Sequence, residues 1–341
     1  VKTTPSLAAI VLATAVAWSL AAPEAQGQGL IKLRFAQAQD ILSFAPGYIA
    51  RARFFRAQGI DPQFEILSGG GPVLAAVASG SVEFGLVASV DLISQAARHP
   101  DVQAIHGMNY QTIEVIVNSQ WASHKNTSKF HALKQRIESM KGAIIASTTP
   151  GAFSETMARY LVRQVGLDPA RDVQIVPLGG IGPRIAALQS NHAQVLLSSP
   201  PAGQQAEAEG WGTILIPSKD LPGFNKQIHQ VLVARRGWLA RNRGAARRVA
   251  TALAQANDHL LDNPTDSVAL HQQYYPGLSR RILEQGIRSV RTQTIRHGKM
   301  KELDWMRTLE LLVAANVVDQ SVSMKEGRLW TNDYIDTTRL R

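Results

Sequence analysis

Cysteine is absent from all 341 residues. That gap excludes disulfides, Cys-ligated zinc, iron–sulfur clusters, thiol catalysis and any lipid anchor attached to Cys. Aromatic residues are sparse, at 6%. Beyond the N-terminus no apolar run reaches the roughly 20 residues needed to span a bilayer, and the best later candidate, 309–318, is broken by Glu310 and Asn316. Local catalytic signatures are missing too: there is no G-x-S-x-G elbow, no Walker A loop, no H-E-x-x-H and no complete G-x-G-x-x-G. The nine histidines never fall at i,i+2 or i,i+4, so no single element offers a metal site. No catalytic residue, metal or cofactor is therefore expected. Acidic residues number 26 against 36 Lys+Arg, a formal charge of +10. Such a surplus admits nucleic acid, anionic membrane or small anions as partners.

What is present is a chain 45% apolar and 18% charged, ordinary for packed domains, and long enough for two of them. Its N-terminus reads as an export signal over residues 1–21. Lys2 precedes an uncharged stretch with an apolar run at 7–20; Ser19, Ala21 and Ala22 supply small residues, and polar AQGQG follows. An exported, cysteine-free protein is a poor genome binder. The pairs Arg235/Arg236, Arg241/Arg243, Arg247/Arg248 and Arg280/Arg281 lack interleaved aromatics and match no groove-reading motif. Arg243, Arg247 and Arg248 instead fall opposite Val249, Leu253 and Leu260, as on a solvated helix face. No nucleic-acid partner is expected, and no lipid anchor.

The chain also resembles itself. LSGGGPVLAAVASGSVEFGL at 67–86 aligns with LGGIGPRIAALQSNHAQVLL at 178–197, every pair 111 positions apart and eight of twenty identical. Upstream, Gly59-Ile60-Asp61-Pro62 matches Gly166-Leu167-Asp168-Pro169 after a short insertion. Each copy reads as strand, helix, strand, glycine-rich loop, helix and strand. The strands are 31–36, 63–67 and 82–87 in the first copy, and 143–147, 173–177 and 193–197 in the second. Helices are expected over 46–58 and 153–165. Pro72 and Pro183 suit the first turn of the next helix, while Gly80 and Asn191 suit its left-handed end. Continuous apolar strands linked by helices predict a parallel sheet covered on both faces. The fold class is thus α/β, with two Rossmann-like lobes. Val-rich 113–118 and 230–235 read as crossings, giving a discontinuous first lobe (30–117 plus 230–335) and a second at 118–229. The last third reads as helices near 243–261, after Pro264, after Ser279 and over 300–315.

Four loops lead from strand ends into helix starts: 43–47, 68–71, 148–154 and 179–182. Ligands of open α/β sheets bind at such places, where free backbone N–H groups and the helix dipole favour anions. Ser68, Thr148, Thr149 and Ser154 add hydroxyls, and the loops 68–71 and 148–154 carry no acid. Four helix ends supply at most ~4 kcal/mol, whereas micromolar affinity needs about 8. Direct hydrogen bonds to the charged group must supply the larger share.

At this point a resemblance enters. GAIIASTTPGAFSETMARYLVRQVGLDPARDVQIVPLGGIGPRIAALQSNHAQVLLSSPP is similar to the second lobe of periplasmic substrate-binding proteins of the nitrate, sulfonate and taurine uptake class. FAPGYIARARFFRAQGIDPQFEILSGGGPVLAAVASGSVEFGL resembles their first lobe, and LWTNDYID their ending. The resemblance implies a type II periplasmic-binding-protein fold with two hinge crossings. It implies a small, anionic ligand held between the lobes, an ABC permease as partner and a periplasmic location. Carried over position by position, the implied ligand contacts are Gln37, Gln39, Ser68, Gly70, Gly71, Ser89, Thr149, Gly151, Phe153, Ser154 and Ser199. Phe153 either walls the cleft or serves as a first-turn core residue. Gln194 stands where the family has an acid, which puts that loop's role in question. The related pyrimidine synthases of thiamine biosynthesis use a cysteine-rich segment that this chain lacks. Two alternatives stay open: an exported enzyme pairing His106 or Asp91 with Glu155, and a ligand-sensing domain for a membrane receptor.

Overall fold

The computed structural model describes residues 29–221, 226–319 and 322–336, with positions 1 and 338. The expected export segment, 1–21, lies outside the described residues apart from Val1. No helix among the described residues is long and apolar enough to cross a membrane.

Among the described residues ten strands form two sheets of five. They are β1 (Ile31–Gln37), β2 (Ile60–Ile66), β3 (Phe84–Ala88), β4 (Val102–Gly107), β5 (Glu114–Asn118), β6 (Ile144–Ser147), β7 (Gln174–Pro177), β8 (Val195–Ser198), β9 (Gly212–Ile216) and β10 (Gln230–Arg235). The orders are β2-β1-β3-β10-β4 and β7-β6-β8-β5-β9. Substituting β6 for β1, β7 for β2, β8 for β3, β5 for β10 and β9 for β4 turns one order into the other. The sequence repeat is a repeat of topology.

The sheets are mixed rather than parallel. β1 runs parallel to β2 and β3, but β10 is antiparallel to β3 and β4. In the second sheet β5 is antiparallel to β8 and β9. The register gives the reason: Gln230 opposes Ala88 at the end of β3, and Glu114 opposes Ser198 at the end of β8. Each crossing segment arrives at the carboxyl ends of the parallel strands, so it must run back along them. β5 therefore belongs wholly to the second sheet, and the first crossing precedes Glu114 rather than following residue 117.

The local signals have their expected effects. The helix Gly70–Ser79 ends on Gly80 at φ 85°, and its counterpart Ile181–Gln189 is followed by Asn191 at φ 60°. Both residues occupy the left-handed region at low cost. Gln194 performs the service of an acid by neutral means. Its Oε1 accepts from the Ile144 amide at 2.9 Å, as Glu83 Oε2 accepts from the Arg34 amide at 2.7 Å. Phe35 centres the first core, with Phe55, Phe64 and Phe84 rings at 4.9, 4.7 and 5.2 Å. The closing helices Arg243–Asp262, Pro264–Gln272, Arg280–Arg291 and Glu302–Ala314 pack around this lobe. Residues 329–331 then cover the free edge of β4 at Ala104. Thr331 donates to the Ala104 carbonyl at 2.9 Å, and Trp330 stacks on Trp305.

Candidate functional site

The lobes are closed on each other. The Leu42 amide donates to the Pro200 carbonyl at 2.8 Å, and Arg163 Nη1 to the Ala315 carbonyl at 2.6 Å. A Cβ on Gly69 would sit 3.1 Å from Thr149 Oγ1 of the other lobe. Between them remains a cavity of about 30 Å³, room for roughly two waters. Strand ends, helix starts and the crossings all contribute to its wall.

Arg184 dominates its charge. The side chain belongs to the first turn of the helix Ile181–Gln189, is 1% exposed and reaches across to Gln39 Oε1. Its other bonds go to the Leu197 and Gly180 carbonyls, both at 3.3 Å. Burial lowers its pKa to about 10, and no carboxylate among the described residues offsets that effect. The contrast with Arg136 is informative. That guanidinium is also buried, but Asp220 Oδ2 lies 2.8 Å away. A buried cation without a counter-ion is costly unless an anion joins it.

Asp91 faces the same cavity from the helix Ser89–Ser94. It is 5% exposed, and burial raises its pKa to about 7 against the pull of the Ala88 and Phe153 backbone amides. Phe153 opens the second-lobe helix Phe153–Gln164, so this first-lobe carboxyl occupies a helix start across the cleft. Gly70 makes room for it. A Cβ there would lie 2.0 Å from Asp91 Oδ2, so no larger residue fits. The acid-free loops of the sequence thus enclose an acid supplied by another helix.

A polar chain completes the floor. Ser199 Oγ lies 2.9 Å from Thr112 Oγ1, which lies 3.3 Å from His229 Nδ1. His229 Nε2 is 3.2 Å from Gln230 Nε2, and Gln230 Oε1 is buried with no hydrogen-bond partner among the described residues. Burial lowers the His229 pKa to about 3, keeping the ring neutral. Phe153 packs on this ring at 4.8 Å.

Of the residues implied by resemblance, Gln39, Gly70, Phe153, Ser154 and Ser199 line the cavity. Phe153 is both wall and core, being 9% exposed. The other six lie elsewhere. Gln37 is occupied with Tyr48 and the Gln39 carbonyl, and Ser89 with the Ile228 carbonyl. Ser68 and Gly151 are exposed, and the Gly151 amide is already taken by Glu155. Gly71 abuts Gln95, and Thr149 packs on Gly69. Ser154 Oγ accepts from the Thr148 amide at 3.1 Å, so it also shapes the loop. The catalytic pairing of His106 or Asp91 with Glu155 is not assembled. His106 is sealed in the first lobe against Gly298, and Glu155 is held by Arg159. No group of three or more potential metal ligands exists among the described residues.

Sequence reasoning missed Arg184, His229 and Gln230, and weighed Asp91 only as a catalyst. One signal for Arg184 was available. It stands where the first copy of the repeat has Val73, a charge in place of a buried apolar side chain. The crossing residues His229 and Gln230 belong to no motif.

Two matching sheets, two crossings and a closed cavity at the strand ends define a periplasmic-binding-protein fold. Residues 40–271 match the model of the NMT1-like family. With most of its length matched, the chain belongs to that family. Solved structures share the architecture. The periplasmic nitrate-binding protein NrtA from Synechocystis PCC 6803 gives a TM-score of 0.70 at 14% identity, covering 86% of this chain and 84% of its own. The alkanesulfonate-binding protein SsuA from Xanthomonas axonopodis pv. citri, bound to MOPS, gives 0.68 at 17%, covering 86% and 96%. The desulfurization enzyme DSZB gives 0.55 at 14%, covering 86% and 95%. At these identities the likeness speaks to fold alone. No curated protein matches the sequence.

Proposed function

We propose that this protein is an exported receptor that captures a small organic anion between its lobes and delivers it to an ABC importer in the membrane. The observation carrying this reading is Arg184, a buried cation at the cavity with no carboxylate partner among the described residues. Two charge-assisted hydrogen bonds to an anion contribute about 3–6 kcal/mol. With helix ends adding a fraction of a kcal/mol each, micromolar affinity comes within reach. A cavity of about 30 Å³ fits only a few atoms, so larger ligands enter by opening at the two crossings. Binding proteins for nitrate and alkanesulfonate among the structural neighbours support the receptor reading, and a ligand-binding component of an ABC-type import system from Staphylococcus aureus supports the importer partner.

The test is a thermal-shift screen over nitrate, alkanesulfonates, carboxylates and pyrimidines. A cognate ligand at a hundred times its Kd adds about 2.7 kcal/mol. A folded protein that no member stabilises would refute the proposal. A second reading, an exported enzyme, draws on Asp91 and His229 sharing the cavity wall. It predicts chemical change of the stabilising ligand on prolonged incubation, whereas a receptor returns it intact.

A further inference from the structure

We propose that the pole of the first lobe opposite the cleft docks on an anionic phospholipid surface. The inference goes beyond the receptor reading and does not depend on it. β1, β2, β3 and β4 point their carboxyl ends toward the cleft, so their amino ends mark the far side of the lobe. Arginines gather there. Arg235 ends β10 opposite Val102, the first residue of β4. Arg241 closes the helix Arg236–Arg241, and Arg243, Arg247 and Arg248 occupy the first two turns of the helix Arg243–Asp262. The backbone holds them to one face. A Cβ on Gly80, ahead of β3, would lie 2.6 Å from Arg235 Nη2, and one on Gly59, ahead of β2, 3.4 Å from Arg248 Nη1. Acids of this pole are already taken: Asp61 by Arg56, Glu83 by Arg34 and Asp101 by Arg236. None of the five gathered arginines forms an ion pair with a carboxylate among the described residues.

Folding does not account for this placement. Cations at a helix start oppose its dipole, and the first turn of Arg243–Asp262 holds neither an acid nor a side-chain cap. Arg241, Arg243 and Arg247 are exposed, so a polyanion outside the chain can reach them and offset that cost. The chemistry beside them selects a bilayer. Leu30 and Ile31 are 41% and 36% exposed at the start of β1, and the Ile31 amide donates to the Gly59 carbonyl at 2.9 Å, next to Arg248. Basic side chains beside exposed aliphatic ones suit the headgroup region of an anionic membrane. Single-stranded nucleic acid would instead need aromatic faces for its bases, and the rings nearby are engaged inward, Trp238 on Phe84 and Tyr334 under Arg243. The chain also enters the fold here, and the sequence ahead of Leu30 carries the apolar run at 7–20. A chain leaving a bilayer through that run would present this pole to it.

The test is co-sedimentation of the full chain with two kinds of vesicle, phosphatidylcholine alone and phosphatidylcholine with about one-third phosphatidylglycerol. Each arginine near an anionic surface is worth roughly fivefold in binding, and salt at about 0.5 M screens the attraction. At about 50 mM salt the anionic vesicles should bind at least thirtyfold tighter than the neutral ones, and at about 0.5 M that preference should vanish. Neutral vesicles register whatever the apolar run contributes. Changing Arg241→Gln, Arg243→Gln and Arg247→Gln together should cut the preference at least tenfold. Changing Arg280→Gln, Arg281→Gln and Arg288→Gln removes the same charge from the helix Arg280–Arg291, whose Gly286 abuts Leu42 and Pro200 at the cleft end. That variant should stay within threefold of the parent. Circular dichroism first shows both variants to be folded. Equal losses in the two would trace binding to overall charge and overturn the docking pole. An unaltered chain that shows no preference for anionic vesicles overturns it whether or not the variants fold. So does a chain that ignores both vesicles yet binds duplex DNA. Anion capture in the cleft stands or falls separately, on the thermal-shift screen.

Discussion

Asp91 ties the cleft to the stability of the whole protein. Burial pushes its carboxyl up to about 7, well above the ordinary 3.8. At about 1.36 kcal/mol per pKa unit, the difference corresponds to about 4 kcal/mol. The sign follows from proton binding. Between pH 4 and 7 the folded protein keeps a proton that the unfolded chain has lost. Stability from this group is therefore complete below pH 4, falls as pH rises through that window and stays lost above it. Asp91→Asn cannot titrate, and its amide oxygen still accepts a backbone hydrogen bond. Without ligand, variant and parent should agree within about 1 kcal/mol at pH 4.5, where the loss has only begun. At pH 8.5 the variant should be more stable by about 2–4 kcal/mol. For a chain of this size that upper figure amounts to about 6 °C in Tm. Thermal melts at both pH values, backed by urea titrations, read the difference. A gap that is equal at the two pH values, or larger at pH 4.5, would refute the reasoning.

Other expectations follow from the same packing. Glu114, buried against Gln204 and raised to about 8, should behave like Asp91 in the second lobe, so Glu114→Gln should also gain stability at pH 8.5 but not at pH 4.5. Buried His106, His229 and His271 are lowered to about 4, 3 and 4. Their contribution is complete above the ordinary pKa of 6.5 and is lost as pH falls toward 4. Combined with the two carboxyls, they should place the maximum Tm of the ligand-free protein near pH 6–7, as a pH series of melts would show. Gly298→Ala would force a Cβ to within 1.9 Å of the His106 ring at φ 71°, and should cost roughly 3 kcal/mol or more in urea denaturation.

How much of this was legible in the sequence depends on what kind of interaction fixed it. The two-lobe plan was legible because strand–helix alternation and left-handed helix ends are local properties, and Gly80 and Asn191 carry them in both copies. Strand direction for β5 and β10 was not. Apolar runs such as Val115 to Val117 look alike whichever way the neighbouring strand runs. The site divides along the same line. Helix starts at Gly70 and at Phe153–Ser154 were readable from loop chemistry, and both reach the cavity. Asp91 and His229 come from a short helix and a crossing, and only tertiary folding brings them in. Arg184 was within reach, because the repeat shows it replacing Val73.

The most direct test of the central claim is calorimetric titration of the parent and Arg184→Gln with nitrate, propionate and ethanesulfonate, each variant first shown to be folded by circular dichroism. The account predicts that the tightest-binding anion loses at least about a hundredfold in affinity, about 2.7 kcal/mol, when the guanidinium is removed. Affinity that stays within threefold of the parent would contradict it and place anion capture elsewhere on the protein.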